Sequence, residues 1–108
     1  MERVVSYGTL QEQRIQKKIL GRLVEGTADS LAGYTTELIE IDKKQFVRAV
    51  LLADKILHGT CLVVSKTELQ RLDAYEGKDY VRVKKILSSG TSAWVYVQPK
   101  IHRAVLCT

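Results

Sequence analysis

Apolar and polar residues are patterned so that short strands are predicted along most of the chain. Runs rich in β-branched residues, leucine and tyrosine are bounded by turn-forming residues, as is typical of strands. The predicted strands are residues 3–7, 23–27, 34–41, 47–52, 56–64, 80–87 and 92–98, with residues 100–108 as one further candidate. Residues 28–33 are predicted as a connection, and 42–44, 53–55 and 88–91 as turns.

Two segments instead show helical spacing. In residues 11–20, Ile15 and Ile19 recur four positions apart, and Gly21 is placed to end the helix. A second helix begins after Ser65, which forms a predicted capping box with Glu68, and it ends near residues 75–77. The two helices bracket the middle strands.

This order of elements predicts an α+β fold with a mostly antiparallel sheet. Consecutive hairpin-like strands favour a small mixed β-barrel of about six to seven strands with two short flanking helices. The length of 108 residues and the absence of repeats or linkers predict a single domain over residues 1–108.

Composition and charge exclude several classes of function. The net charge is +5, but the cations are scattered and not interleaved with aromatic residues, so no nucleic-acid partner is expected. The chain carries neither an apolar run of membrane-spanning length nor a signal-peptide pattern, so no membrane partner is expected. Cys61 and Cys107 have no metal-ligand spacing, and His58 and His102 are expected at the surface, at an edge or, for His58, in the core. A reduced cytoplasmic protein without metal or cofactor is predicted.

The first candidate site is the segment SYGTL at residues 6–10, where a strand gives way to a helix. Unpaired backbone amides at such a junction can hold a carboxylate, phosphate or carbonyl oxygen, and Gly8 lets a ligand approach. The alternative is a plain connection in which Gly8 only turns the chain.

The second candidate is Glu76, at the carboxyl end of the second helix. An acidic residue is electrostatically unfavourable there, because that end of the helix dipole is negative. Glu76 either points into water, or its surroundings raise its pKa so that it exchanges protons near neutral pH.

Read together, these segments resemble the gamma-glutamylcyclotransferase-like superfamily, which includes gamma-glutamylamine cyclotransferases and the plant avirulence-induced proteins. The similarity rests, in order, on YGTL at residues 7–10, Gly33-Tyr34, Gly59, and the motif LDAYEG at 72–77 followed by Tyr80-x-Arg82 and WVYV at 94–97. It covers nearly the whole chain.

The resemblance implies a role for each candidate site. Glu76 would be the acid/base, and Tyr7, Gly8, Thr9 and Leu10 would bind the γ-glutamyl part of a small substrate, largely through backbone amides. The α-amino group of the substrate would attack its own γ-carbonyl, giving 5-oxoproline and releasing an amine or peptide, with no metal or covalent intermediate.

Tyr80 and Tyr96, like Tyr7, are further candidates for substrate-binding hydroxyls; each is equally explained as a barrel aromatic with its hydroxyl at the rim. A non-catalytic module that binds a small anionic metabolite on the same fold is the alternative function, and a basic nucleic-acid-binding barrel is a third. The leaving group and the oligomeric state do not follow from the sequence.

Overall fold

The structure is organised around one short strand at the amino terminus. The computed structural model describes residues 1–97, apart from the side chains at positions 39, 41, 46 and 47. The elements in chain order are β1 (Glu2–Ser6), a 3-10 turn (Thr9–Gln11), α1 (Gln13–Leu20), β2 (Gly26–Ile41), β3 (Lys44–Val64), α2 (Lys66–Glu76), a second 3-10 turn (Gly77–Asp79), β4 (Val81–Ile86) and β5 (Ser92–Val97).

Strand β1 is buried on both faces. It pairs antiparallel with β3, Val4 opposite Leu62, and parallel with β5. Successive side chains of a strand point to opposite faces, so Val4 and Val5 enter different cores, where they are 1% and 2% exposed. Val4 packs with residues of both helices, and Val5 packs with residues of β2, β3 and β5 on the other face.

The sheet is open, so the predicted barrel is wrong. Its five strands run in the order β2-β3-β1-β5-β4, and within the described residues no ladder joins the outer strands β2 and β4. Within the described residues the two edges approach each other through side chains, with Nζ of Lys85 5.6 Å from the ring centre of Tyr34, and through a backbone bond that the Ser88 amide donates to the Ser30 carbonyl at 2.8 Å. Because β4 ends at Ile86, this backbone bond involves the loop and cannot extend into a ladder. The α+β class and the mostly antiparallel pairing are confirmed.

The strand count differs because four predicted strands form one long hairpin. Strands β2 and β3 run continuously through residues 28–33 and 53–55, which had been predicted as a connection and a turn. Ala32 pairs with Ile56 and Tyr34 with Leu51, so the four residues 52–55 lie opposite Gly33 alone. Gly33 has a φ of +85°, and this bulge bends the hairpin without ending either strand. The turn residues therefore mark an irregularity inside the strands.

The predicted helices and the last hairpin are confirmed with small shifts. Helix α1 begins at Gln13, two residues later than predicted, because Thr9–Gln11 forms a separate turn; Gly21 ends the helix with a φ of +74°. The capping box of α2 is present, with the Glu68 amide donating to the Ser65 hydroxyl. Strands β4 and β5 form the predicted antiparallel hairpin.

Some predictions fall outside the residues that the structure describes. These are the candidate strand at 100–108 and the assignments of His102 and Cys107. Among the described helices, none has the length and apolarity needed to cross a membrane.

Gly59 of β3 provides a test of the packing around β1. A Cβ atom built on Gly59 would lie 2.5 Å from the carbonyl oxygen of Ser6, a backbone atom that cannot move without disturbing β1. We expect Gly59→Ala to lower the free energy of unfolding by about 1–3 kcal/mol, measured by urea denaturation. Gly8→Ala is the matched control, because a Cβ there meets no protein atom within 4 Å. Equal stabilities of the two variants would contradict the close approach at Gly59.

Candidate active site

A cavity of about 450 Å³ lies where the loop after β1 meets the carboxyl end of α2. All the site residues predicted from the sequence line this one cavity: Tyr7, Gly8, Thr9, Leu10, Glu76, Tyr80 and Tyr96. Its other walls include Tyr75, Asp79 and the β2–β3 turn with Asp42, Lys44 and Gln45. The fold thus brings residues 7–10 together with residues 75–80 and 96 from the last third of the chain, around a volume typical of small-molecule sites.

Glu76 is the last residue of α2 and is half-buried against the cavity. No hydrogen-bond or ion-pair partner of its carboxylate is found among residues 1–97. Burial without a compensating positive charge disfavours the ionised form, and it raises the pKa of Glu76 from 4.5 to about 7. The carboxyl group can therefore exist in both protonation states near neutral pH.

The backbone of the loop at residues 8–10 has its carbonyls satisfied and its amides unsatisfied. The Gly8 carbonyl accepts from the Gln11 amide at 3.2 Å, and the Thr9 carbonyl accepts from the Glu12 amide at 2.9 Å. The Leu10 carbonyl accepts from the side-chain amide of Gln16, on α1, at 2.9 Å. For the three amides, no acceptor is found in the described part of the chain. The loop therefore offers donors beside the cavity, and the space around Gly8 is open.

The hydroxyl of Tyr7 is engaged by the protein itself. It donates to the carbonyl oxygen of Tyr96 and accepts from the Ala49 amide at 3.1 Å. Burial raises the pKa of Tyr7 above its ordinary value, so the hydroxyl stays protonated. Tyr7 thus joins β3 to β5 across the end of β1, and it faces the cavity with a side chain whose polar group is already paired.

Tyr96 is likewise held by a protein partner. Its hydroxyl donates to Asp73 at 2.7 Å, and the same carboxylate oxygen accepts from Nε of Arg82 at 2.8 Å. Although partial burial opposes its charge, these two hydrogen bonds lower the pKa of Asp73 below its ordinary value. The Arg82 guanidinium also lies 4.3 Å from the ring centre of Trp94. This cluster attaches the last turn of α2, and with it Glu76, to β4 and β5.

Thr9 and Tyr80 complete the contacts around Glu76. The hydroxyls of Thr9 and Tyr75 lie 2.7 Å apart, which joins the loop directly to the last turn of α2. Burial raises the pKa of Tyr80, and the negative charge of Glu76 raises it further. Leu10 is 3% exposed and lines the cavity, and it also belongs to the core cluster that contains Val4.

Sequence reasoning assigned no role to two residues that hold this site together. Asp73 was part of a motif, but its partners Arg82 and Tyr96 are brought to it only by the fold. Gln16 is a polar residue next to Ile15 on the apolar side of α1, and a polar position in an apolar stripe is a signal that could have identified it. No local sequence pattern indicates that the β2–β3 turn forms part of the cavity wall.

No group of three or more histidine, cysteine, aspartate or glutamate side chains within residues 1–97 is arranged to hold a metal ion.

Comparison with known proteins identifies a family. Residues 4–106 match the family model described as "Gamma-glutamyl cyclotransferase, AIG2-like". No curated protein matches the sequence significantly.

Solved structures share the fold. The solution structure of At3g28950.1 from Arabidopsis thaliana is 24% identical, with a TM-score of 0.77 over 92% of this chain and 62% of that protein. A second Arabidopsis thaliana protein, At5g39720.1, is 22% identical, with a TM-score of 0.78 over 93% of this chain and 73% of that one. A structure titled "Gamma-glutamyl cyclotransferase" is 12% identical, with a TM-score of 0.73 over 90% of this chain and 66% of that one. The chain thus spans about two thirds of the length of some of these proteins.

The raised pKa of Glu76 predicts a pH-dependent effect on stability. Between pH 4.5 and about 7, the folded protein holds a proton on Glu76 that the unfolded chain has lost, so the free energy of unfolding falls as pH rises through this window. Glu76→Gln removes this fall. We expect the variant to match the wild type near pH 4 and to exceed it at pH 8 by roughly 1–2 kcal/mol, allowing for partial exposure, in urea denaturation. Glu25→Gln, at an exposed site away from the cavity, is the control. A constant difference across this pH range would show that Glu76 titrates normally.

The two hydrogen bonds of Tyr7 predict a structural cost when its hydroxyl is removed. Tyr7→Phe leaves the Ala49 amide and the Tyr96 carbonyl without their partner, so we expect the free energy of unfolding to fall by about 1–3 kcal/mol. Tyr75→Phe removes an exposed hydroxyl that water can replace, and should cost less than about 0.5 kcal/mol. Similar losses in both variants would mean that the Tyr7 hydroxyl does not stabilise the fold.

Proposed function

The chain belongs to the gamma-glutamyl cyclotransferase, AIG2-like family, and we propose that it is a cyclotransferase-type enzyme that releases 5-oxoproline from a small γ-glutamyl amine or amino-acid derivative. The observation that carries this proposal is that one cavity holds a glutamate with a pKa of about 7 and a loop whose amides have no acceptor among the described residues. The chemistry of intramolecular aminolysis requires both features.

The reaction forms one bond and breaks one. The α-amino nitrogen of the substrate bonds to its own γ-carbonyl carbon, and the bond from that carbon to the leaving nitrogen breaks. Overall, two protons leave the α-ammonium group and two arrive on the leaving nitrogen, which departs as an ammonium ion at neutral pH. The protein therefore has to remove protons from one nitrogen and return them to another.

Glu76 is suited to this proton transfer. A group whose pKa lies near the working pH can accept a proton and then donate it without a large energetic cost in either direction. With a pKa of about 7, ionised Glu76 takes a proton from the attacking nitrogen, and the protonated carboxyl group then supplies it to the leaving nitrogen. Because no cation pairs with the carboxylate within residues 1–97, its basicity is not reduced by an ion pair.

The amides of residues 8–10 are suited to the negative charge that develops during attack. As the γ-carbonyl becomes tetrahedral, its oxygen becomes negative, and preorganised backbone donors stabilise that charge in a site shielded from water. The same donors can bind the α-carboxylate of the γ-glutamyl group. Because the nucleophile is already part of the substrate, the remaining task is to hold a cyclising conformer. We assign that task to the cavity walls around Tyr7, Tyr80 and Tyr96.

The reaction is tested by measuring 5-oxoproline release from a panel of γ-glutamyl amines, γ-glutamyl dipeptides and glutathione. We expect release by the wild type, and a loss of about 10²–10⁴-fold in kcat/KM for Glu76→Gln. The exposed carboxylate variant Glu25→Gln should retain wild-type activity. The wild-type kcat/KM should rise as the pH passes from about 5 through about 7, since the free enzyme must carry ionised Glu76 to act as a base.

Two results would overturn the proposal in different ways. Full activity of a well-folded Glu76→Gln variant would remove Glu76 from the mechanism while keeping the reaction. No release from any substrate by the wild type would favour a non-catalytic module that binds a small anionic metabolite in the same cavity. Thermal-shift titration with glutamate and 5-oxoproline would then measure that binding directly.

A further inference from the structure

One buried polar side chain holds the backbone of the loop after β1 from inside the core. Gln16 lies on α1 and is 5% exposed, among residues that are mostly apolar. Burying a carboxamide is unfavourable unless both its nitrogen and its oxygen find partners. An apolar residue at this position would pack on the same cluster without that requirement, so the presence of glutamine points to its partners.

Both ends of the Gln16 carboxamide bind backbone groups from different segments. Nε2 donates to the carbonyl oxygen of Leu10 at 2.9 Å, and Oε1 accepts from the amide of Val24 at 2.9 Å. The carboxamide therefore joins the loop to the segment that enters β2. Neither backbone group has another backbone partner among the described residues.

The bond to Leu10 fixes the orientation of the loop. The planar peptide group of the Leu10 carbonyl also carries the Gln11 amide, so holding that carbonyl inward fixes the direction of this amide. The Gln11 amide in turn donates to the Gly8 carbonyl, whose peptide group carries the amide of Thr9. The carbonyls of Gly8 and Thr9 accept backbone bonds only from the amides of Gln11 and Glu12, within the loop and at its junction with α1. The Leu10 carbonyl follows them in the chain.

A three-residue 3-10 turn has weak hydrogen-bond geometry and is marginal by itself. The side chain of Gln16 supplies a buried bond to this turn, whereas the bonds of Thr9 to Tyr75 and of Gln11 to Thr60 are exposed.

We propose that Gln16 is a positioning residue, which holds the loop at residues 7–10 in the orientation that presents its amides to the γ-glutamyl group. This role rests on the proposed function and adds to it a residue that does not itself line the cavity. Gln16 acts through the Leu10 carbonyl, and it is separate from the contacts through which Asp73 and Tyr96 hold the last turn of α2.

The test compares two substitutions at this position with a matched change on the same helix. Gln16→Met keeps the length of the side chain and removes both hydrogen bonds. Gln16→Glu keeps the acceptor for the Val24 amide, but it presents oxygen to the Leu10 carbonyl in place of a donor. Gln13→Met makes the same chemical change at an exposed position of α1.

Steady-state kinetics separates positioning from simple destabilisation. We expect both Gln16 variants to raise KM for the γ-glutamyl substrate about tenfold and to lower kcat as well, because the same loop amides serve the substrate carboxylate and the transition state, with Gln13→Met unchanged. A purely structural role would lower the folded fraction, which reduces the apparent kcat and leaves KM as it was. An unchanged KM in soluble, folded Gln16→Glu would overturn the inference.

A second readout does not depend on catalysis. If the wild type releases no 5-oxoproline, the proposed function fails, and the orientation of the loop is then measured by amide NMR shifts and hydrogen exchange. We expect the amides of residues 8–10 to shift and to exchange faster in both Gln16 variants, with Gln13→Met as the reference. Wild-type shifts and exchange rates in both variants would show that Gln16 does not position the loop.

Discussion

The burial of β1 on both faces is the constraint on which the rest of the structure depends. Val4 and Val5 point into separate cores, so the helices must cover one face and the β2–β3 hairpin must cover the other. Because β1 lies between β3 and β5, the loop that follows it emerges at the middle of the sheet. A loop at the middle of a sheet can be approached from several elements at once, and here α2, β5 and the bent hairpin all reach it.

Around that loop, the protein satisfies nearly all of its polar groups and leaves a few unpaired. The hydroxyls of Tyr7 and Tyr96 are bonded to the protein, as are the loop carbonyls. Asp73 keeps its charge beside Arg82, whereas Glu76, three residues later on the same helix, has no such partner among the described residues and a raised pKa. The pKa values of two carboxylates of one helix are thus shifted in opposite directions by their neighbours, which leaves Asp73 in an ion pair and Glu76 able to exchange protons near neutral pH.

The predictions from sequence succeeded where a local pattern has one physical solution. The capping box at Ser65 and the glycine end of α1 need only adjacent residues, and they are present as predicted. They failed where a local signal has two solutions. Gly33 and residues 53–55 carry turn-forming residues, yet opposite each other in paired strands they form a bulge, and the hairpin continues through it. The barrel was wrong for a related reason, since closure depends on where two edges meet and no local pattern specifies that.

By itself, the sequence determined the two helices, the last hairpin, the mixed α+β class and the segments that form the candidate site, because these follow from periodicity, caps and motif order. Only the tertiary structure decided what each site residue can do. The pKa of Glu76 depends on burial by residues distant in the chain. The hydrogen bonds of the Tyr7 hydroxyl depend on Ala49 and Tyr96, which lie on two other strands. Gln16 shows the same limit, since a polar residue in an apolar stripe becomes meaningful only when Leu10 and Val24 are placed against it. Protonation and hydrogen bonding are set by three-dimensional surroundings, which local sequence does not specify.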